Sequence, residues 1–232
     1  MSQQPTPTSY DPVRAVTYGW TGLTRNLTPF LVLGVAMFVV AYAVPTVLNV
    51  VTTGSVFGFQ DASATADVGV ILAGELVKLA WSLVSAVVCW VLGLAMMRGA
   101  LDVVDTGRTD LPAMFTRIDW ISALGATILT AIGVGVGLMM CILPGLVVVY
   151  LLWFVLPAIV DGESATGALD ASYRFTTAKF GQVILFVLIS VALALVGVIS
   201  FGLGLIVATP VATIGTAYTW RVLQGRPVVP MT

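Results

Sequence analysis

Histidine is absent from this 232-residue chain, cysteine occurs twice, and only 9% of residues carry a charge. A soluble domain carries about 25% charged residues. With 59% of the chain apolar and a mean hydropathy of +1.05, one globular core cannot hide this much apolar surface from water, so the solvent for most of it must be lipid. The lack of histidine and the presence of only Cys89 and Cys141 leave no zinc or iron ligand set, and no metal or other cofactor is expected. Cys89 falls in the middle of an apolar run and Cys141 near the end of another, so no disulfide is expected between them. The net charge of −1 comes without a basic stripe, which argues against nucleic acid. No glycine-rich phosphate loop marks a nucleotide site, and no set of catalytic residues stands out.

What is present is a series of long apolar runs. Six spans are predicted, at about 29–51, 70–97, 121–143, 145–160, 182–201 and 204–222. Nineteen uncharged residues, Leu79 to Met97, rise about 28 Å as a helix, close to the roughly 30 Å hydrocarbon core. The fourth run is short and should either tilt little or borrow length from its neighbours. Residues 11–222 then form a single membrane domain. The polar residues 1–10 read as a disordered tail without the charge of a signal peptide, and 223–232 read as a C-terminal tail.

Orientation follows from arginine and lysine. Arg14, Arg25, Arg98, Arg108, Arg117, Arg174, Lys179, Arg221 and Arg226 all fall on one side of six spans, and only Lys78 lies elsewhere. The expected location is a bacterial plasma membrane, crossed several times, with both termini cytoplasmic. Residues 52–69 make the one sizeable external loop, and the other outer turns are LPG (143–145) and FGLG (201–204).

Three capped amphipathic helices are expected on the cytoplasmic face. Asp11-Pro12 is a strong helix start, followed by an apolar stripe of Val13, Val16, Trp20, Leu23 and Leu27. Asp110 precedes Leu111-Pro112 and a shorter stripe through Met114, Phe115 and Ile118. Ser164 can cap a third, which places Leu169, Ser172, Thr176 and Phe180 on one face and Asp170, Arg174 and Thr177 on another. Each helix precedes a membrane hairpin, which gives three pseudo-repeats in pattern rather than in residue identity. The fold class is all-α: six transmembrane helices with about three interfacial ones.

Several residues are candidates for a role. Glu75 and Lys78 are spaced i, i+3 near the outer end of the second span. They can be read as an intramembrane gate or as an ion pair at the outer interface, and the uncharged run that follows favours the interface. Gly133, Gly135 and Gly137 form a small-residue stripe for close helix approach, within the chain or against a partner. Thr209 and Pro210 lie mid-span. The proline frees a carbonyl that threonine hydroxyls can satisfy, and a kink is favoured over a substrate site. Asp161, Glu163, Asp170 and Arg174 read as a solvated cytoplasmic face. Trp20, Trp120 and Trp220 fall at predicted inner interfaces, where indoles anchor.

The run through Pro144, Gly145, Pro157, Asp161, Ala168, Leu169, Ser172 and Tyr173, with GWxxLxRN at 19–26 and PVATIGTAY at 210–218, resembles a broad set of bacterial integral membrane proteins. These are the membrane-domain family found beside glycerophosphoryl diester phosphodiesterases and related inner-membrane proteins of unassigned function. The resemblance implies six spans, a lipid-adjacent setting and no catalytic residues. The Gly-, Ala- and Val-rich usage suggests an actinobacterial member. The function expected is that of a non-enzymatic accessory or scaffold subunit of a larger membrane assembly, with lipid handling or lipid transport as the activity it would serve. Its partners would be membrane lipids and other integral membrane proteins. The alternative is a stand-alone transporter or channel for a small solute or lipid.

Overall fold

Proline, glycine and the three predicted caps divide the chain into helices. The computed structural model describes residues 10–53, 68–200 and 202–231, and every regular element among them is helical. In chain order these are α1 (Pro12–Arg25), α2 (Leu27–Phe38), a π-helical stretch (Val39–Ala43), α3 (Val44–Thr53), α4 (Val68–Thr106), α5 (Leu111–Met114) and α6 (Trp120–Met140). They continue with α7 (Ile142–Leu151), α8 (Val155–Val160), α9 (Ala165–Ala178), α10 (Phe180–Ile199) and α11 (Leu205–Leu223). The caps form as read: Asp11 accepts from the Val13 amide, Asp110 from Ala113 and Ser164 from Gly167.

Five stretches are long and apolar enough to cross a membrane: Leu27–Val51, Leu72–Thr106, Trp120–Met140, Ile142–Val160 and Phe180–Ile199. The chain is therefore built as a multi-pass membrane protein. The predicted sixth run forms α11, but its threonines, Pro210 and Arg221 make it less apolar. It is also well enclosed, packed by α1, α2, α4 and α10, with Ile214 and Ala217 wholly buried. A helix surrounded by protein tolerates polar residues that lipid would penalise.

Several predicted boundaries shift. The second run continues past Met97 to Thr106, because Leu94 to Val104 pack into the core and extend the helix beyond the membrane-length segment. The α6–α7 turn falls at Cys141, whose backbone is extended, and not at LPG. Pro144 instead sits in the first turn of α7, where a missing N–H costs nothing. α5 is only four residues long, shorter than its predicted stripe.

The predicted tails are also partly anchored. Tyr10 shares a hydrogen bond with Thr219 at 2.8 Å, and Val229 donates to the Val104 carbonyl at 3.0 Å. The outer loop's residues 54–67 and the first nine residues lie outside the described residues, as does Phe201 of the FGLG turn.

Candidate functional site

The site is organised by α11 and begins with two glycines. Gly19 of α1 lies so close to the Val211 carbonyl that a Cβ there would collide with it. A Cβ on Gly34 of α2 would come within 2.6 Å of the Ile206 carbonyl oxygen. That carbonyl is the one Pro210 leaves without its helical donor. Thr213 donates to the Thr209 carbonyl instead, at 2.8 Å, so the threonines do not satisfy the freed group; α2's backbone packs over it. α1 therefore turns its small residues, Ala15, Gly19 and Gly22, inward. Its predicted apolar stripe divides: Leu23 is buried, whereas Val13 and Trp20 are more than half exposed and face outward.

The fourth run is broken. Between α7 and α8 the chain makes a turn at 152–154, and α9 closes the gap. The Ser172 hydroxyl donates to the Leu151 carbonyl at 2.8 Å and accepts the Phe154 amide at 3.1 Å. In lipid such backbone groups must find protein partners. Ser172 and Thr176 are both 0% exposed, so these two residues of the predicted stripe pack against protein rather than lie at the membrane interface, and Ser172 patches the helix break. Phe180, predicted on that face, is exposed. Phe154, Phe175 and Trp220 stack beside the break, with ring centroids 4.6 to 5.9 Å apart.

At the end of α11, three elements meet in a charge lock. Arg221 donates to Asp105 on α4 at 2.9 and 2.7 Å, and to Asp161, which follows α8, at 2.6 Å. Asp161 also accepts from Arg226 at 2.8 Å and from the Trp220 indole at 3.1 Å. The Arg221 side chain is 6% exposed. Asp161 is thus a member of a buried network rather than a solvated charge, and Trp220, 3% exposed, is enclosed rather than set at the surface. Tyr18 donates to the Val229 carbonyl at 2.9 Å. Burial raises the pKa of its phenol, which keeps it a donor.

Two apolar crevices flank α11. One, about 430 Å³, lies between α8, α10 and α11; its walls include Trp153, Leu156, Ser190, Thr209 and Thr213. The other, about 460 Å³, lies between α1, α10 and α11 and includes Trp20, Leu193 and Val207. Both fall within the roughly 300–1,000 Å³ of small-molecule sites. A smaller pocket on the far side of Thr209 is bordered by Ala41 and Tyr42 of the π-helical stretch.

The remaining sequence candidates are scattered. Glu75 and Lys78 pair at 2.8 Å, with side chains 60% and 24% exposed, far along α4 from the charge lock. Gly133 faces Val148 and Leu152, and a Cβ on Gly137 would be 3.0 Å from Gly145 Cα, so both glycines serve the α6–α7 contact within the chain; Gly135 faces open space. Trp120, 36% exposed, sits edge-on to Trp90 at 6.0 Å. Both cysteines are free. Among the described residues no cluster of His, Cys, Asp or Glu could hold a metal. Sequence reasoning missed Asp105 and Ser190. Asp105 and Arg221 are 116 positions apart, so no local pattern links them.

The chain is similar to an uncharacterized protein of Mycobacterium tuberculosis, 25% identical over 226 residues that span 93% of this chain and 69% of that protein. A counterpart in Mycobacterium bovis is 23% identical over 225 residues, with the same coverage. These relatives are mycobacterial, and so actinobacterial. No family model and no solved structure matches the chain.

Proposed function

We propose that this is a six-span protein of the bacterial plasma membrane, with both termini cytoplasmic, which works without catalysing a reaction. It acts as an accessory subunit of a larger membrane assembly that handles lipid. One observation carries this reading. Arg221, Asp105 and Asp161 at the end of α11 are locked to one another, and Thr213, Thr216 and Thr219 bond back to their own helix, while the space left open beside it is mostly apolar. That arrangement suits holding apolar molecules better than passing ions. α11 serves as the sixth span, sheltered from lipid by its neighbours. The three capped helices α1, α5 and α9, each placed before a hairpin, support the pseudo-repeat reading. Purification from native membranes tests it: integral membrane proteins and lipid should be retained in stoichiometric amounts.

A stand-alone lipid or small-solute transporter is the second reading, and one observation favours it. Three helix irregularities gather near Thr209: the π-helical stretch, the 152–154 break and Pro210. Broken helices and π-bulges recur where substrates bind. Uptake by liposomes holding the purified chain alone separates this reading from the first.

A further inference from the structure

Ser190 sits on α10 with 4% of its surface exposed, yet its Oγ has no hydrogen-bond partner among the described residues. A serine in an apolar helix can donate to the carbonyl three or four residues back; Ser200, which caps the end of α10, does so toward Gly197 at 2.8 Å and Val196 at 3.3 Å. Ser190 lines the 430 Å³ crevice between α8, α10 and α11. Its hydroxyl is therefore an unmatched donor in the wall of a crevice whose other lining is apolar apart from Thr209, Thr213 and Thr216. Across that chamber, the Thr213 and Thr216 hydroxyls already donate to their own helix, which leaves them only lone pairs to offer.

We propose that this crevice binds an uncharged lipid whose carbonyl oxygen accepts from Ser190, a neutral glycerolipid of the diacylglycerol type, with its ester group at Ser190 and its chains against Leu156, Val191 and Leu195. This rests on the lipid-handling reading and names the molecule handled. No charged side chain lines the crevice, so an ionic headgroup gains nothing by entering. A phospholipid carries the same ester carbonyls, but seating one at Ser190 would draw its ionic headgroup toward a crevice that offers no charged partner, and in a lipid phase that is costly.

The test uses the full chain in nanodiscs of phosphatidylethanolamine and phosphatidylglycerol with a trace of photoactivatable diacylglycerol. Cross-links should map to peptides carrying residues 153–156 or 190–216. Unlabelled diacylglycerol should compete, and phosphatidylcholine should not. Ser190→Ala should weaken labelling about five-fold, the share of one neutral hydrogen bond, and Ser190→Thr should restore most of it. Ala194→Phe should block labelling by filling the chamber.

Equal labelling by photoactivatable phosphatidylcholine, or labelling unchanged in both Ser190→Ala and Ala194→Phe, overturns the proposal. Partners retained in native membranes while this labelling fails would remove the site and leave the accessory-subunit reading standing. Labelling without partners would do the reverse.

Discussion

Arg221 on α11 holds Asp105 on α4 through two parallel hydrogen bonds, at 2.9 and 2.7 Å, although 116 positions separate them. The planar guanidinium matches the carboxylate, and its remaining nitrogen reaches Asp161. This geometry fixes α4, α8 and α11 at one end of the bundle, next to the broken fourth run.

Arg221→Met should cost about 3 kcal/mol, the lower end for breaking a buried pair, because Asp105 keeps 40% of its side chain in solvent. Arg221→Lys should fall between Met and the parent, since lysine keeps the charge but not the fork. Thermal unfolding in detergent, followed by size-exclusion chromatography, reads both. Equal stability of all three would show that the lock does not hold the helices together.

Ser172→Ala should leave the Leu151 carbonyl and the Phe154 amide without their shared partner. A buried unsatisfied group costs about 1–3 kcal/mol. Hydrogen exchange at Phe154 should accelerate while exchange in α10 stays as in the parent. Unchanged protection at Phe154 would mean that Ser172 does not patch the break.

The glycines should divide by their surroundings. Gly34→Ala, which puts a methyl 2.6 Å from the Ile206 carbonyl, should destabilise by about 1–3 kcal/mol, as overpacking does. Gly135→Ala faces open space and should be neutral or better. Gly133 and Gly137 both changed to Leu should reduce folded yield, because their face is occupied by α7. A well-folded double variant that loses a partner instead would return that stripe to an interface role.

Much of this was legible in the sequence. Length and apolarity are local properties, so five of the six predicted membrane runs could be read directly, and the caps at Asp11, Asp110 and Ser164 follow from short-range hydrogen bonding. Ser172 and Thr176 were on the expected face of α9 through helical spacing alone. The missing parts depend on contacts between distant segments. Nothing near Asp161 shows that it meets Arg221 and Arg226, and nothing near Trp220 shows that Phe154 and Phe175 enclose it. The glycine stripe at 133–137 announced close packing without saying against what. The freed carbonyl of Ile206 could be deduced from Pro210, but its neighbour Gly34 could not.

Orientation can be checked on a variant lacking Cys89 and Cys141, with single cysteines returned one at a time. An impermeant maleimide should label a cysteine at Ser63 on intact cells, and cysteines at Thr106 and Ser164 only after lysis. Labelling of Ser63 only after lysis would invert the topology. Labelling of a cysteine at Gln224 on intact cells, with Thr106 still inside, would mean that α11 does not cross in the expected sense.

The accessory-subunit reading is tested most directly by gentle purification of the tagged chain from its native membranes, with quantitative mass spectrometry of everything retained. The account predicts at least one integral membrane protein in a fixed ratio to the chain, together with bound lipid, both surviving a mild detergent wash. A chain that emerges alone and monodisperse, and then moves a solute or lipid across liposomes by itself, would contradict it and establish the transporter reading.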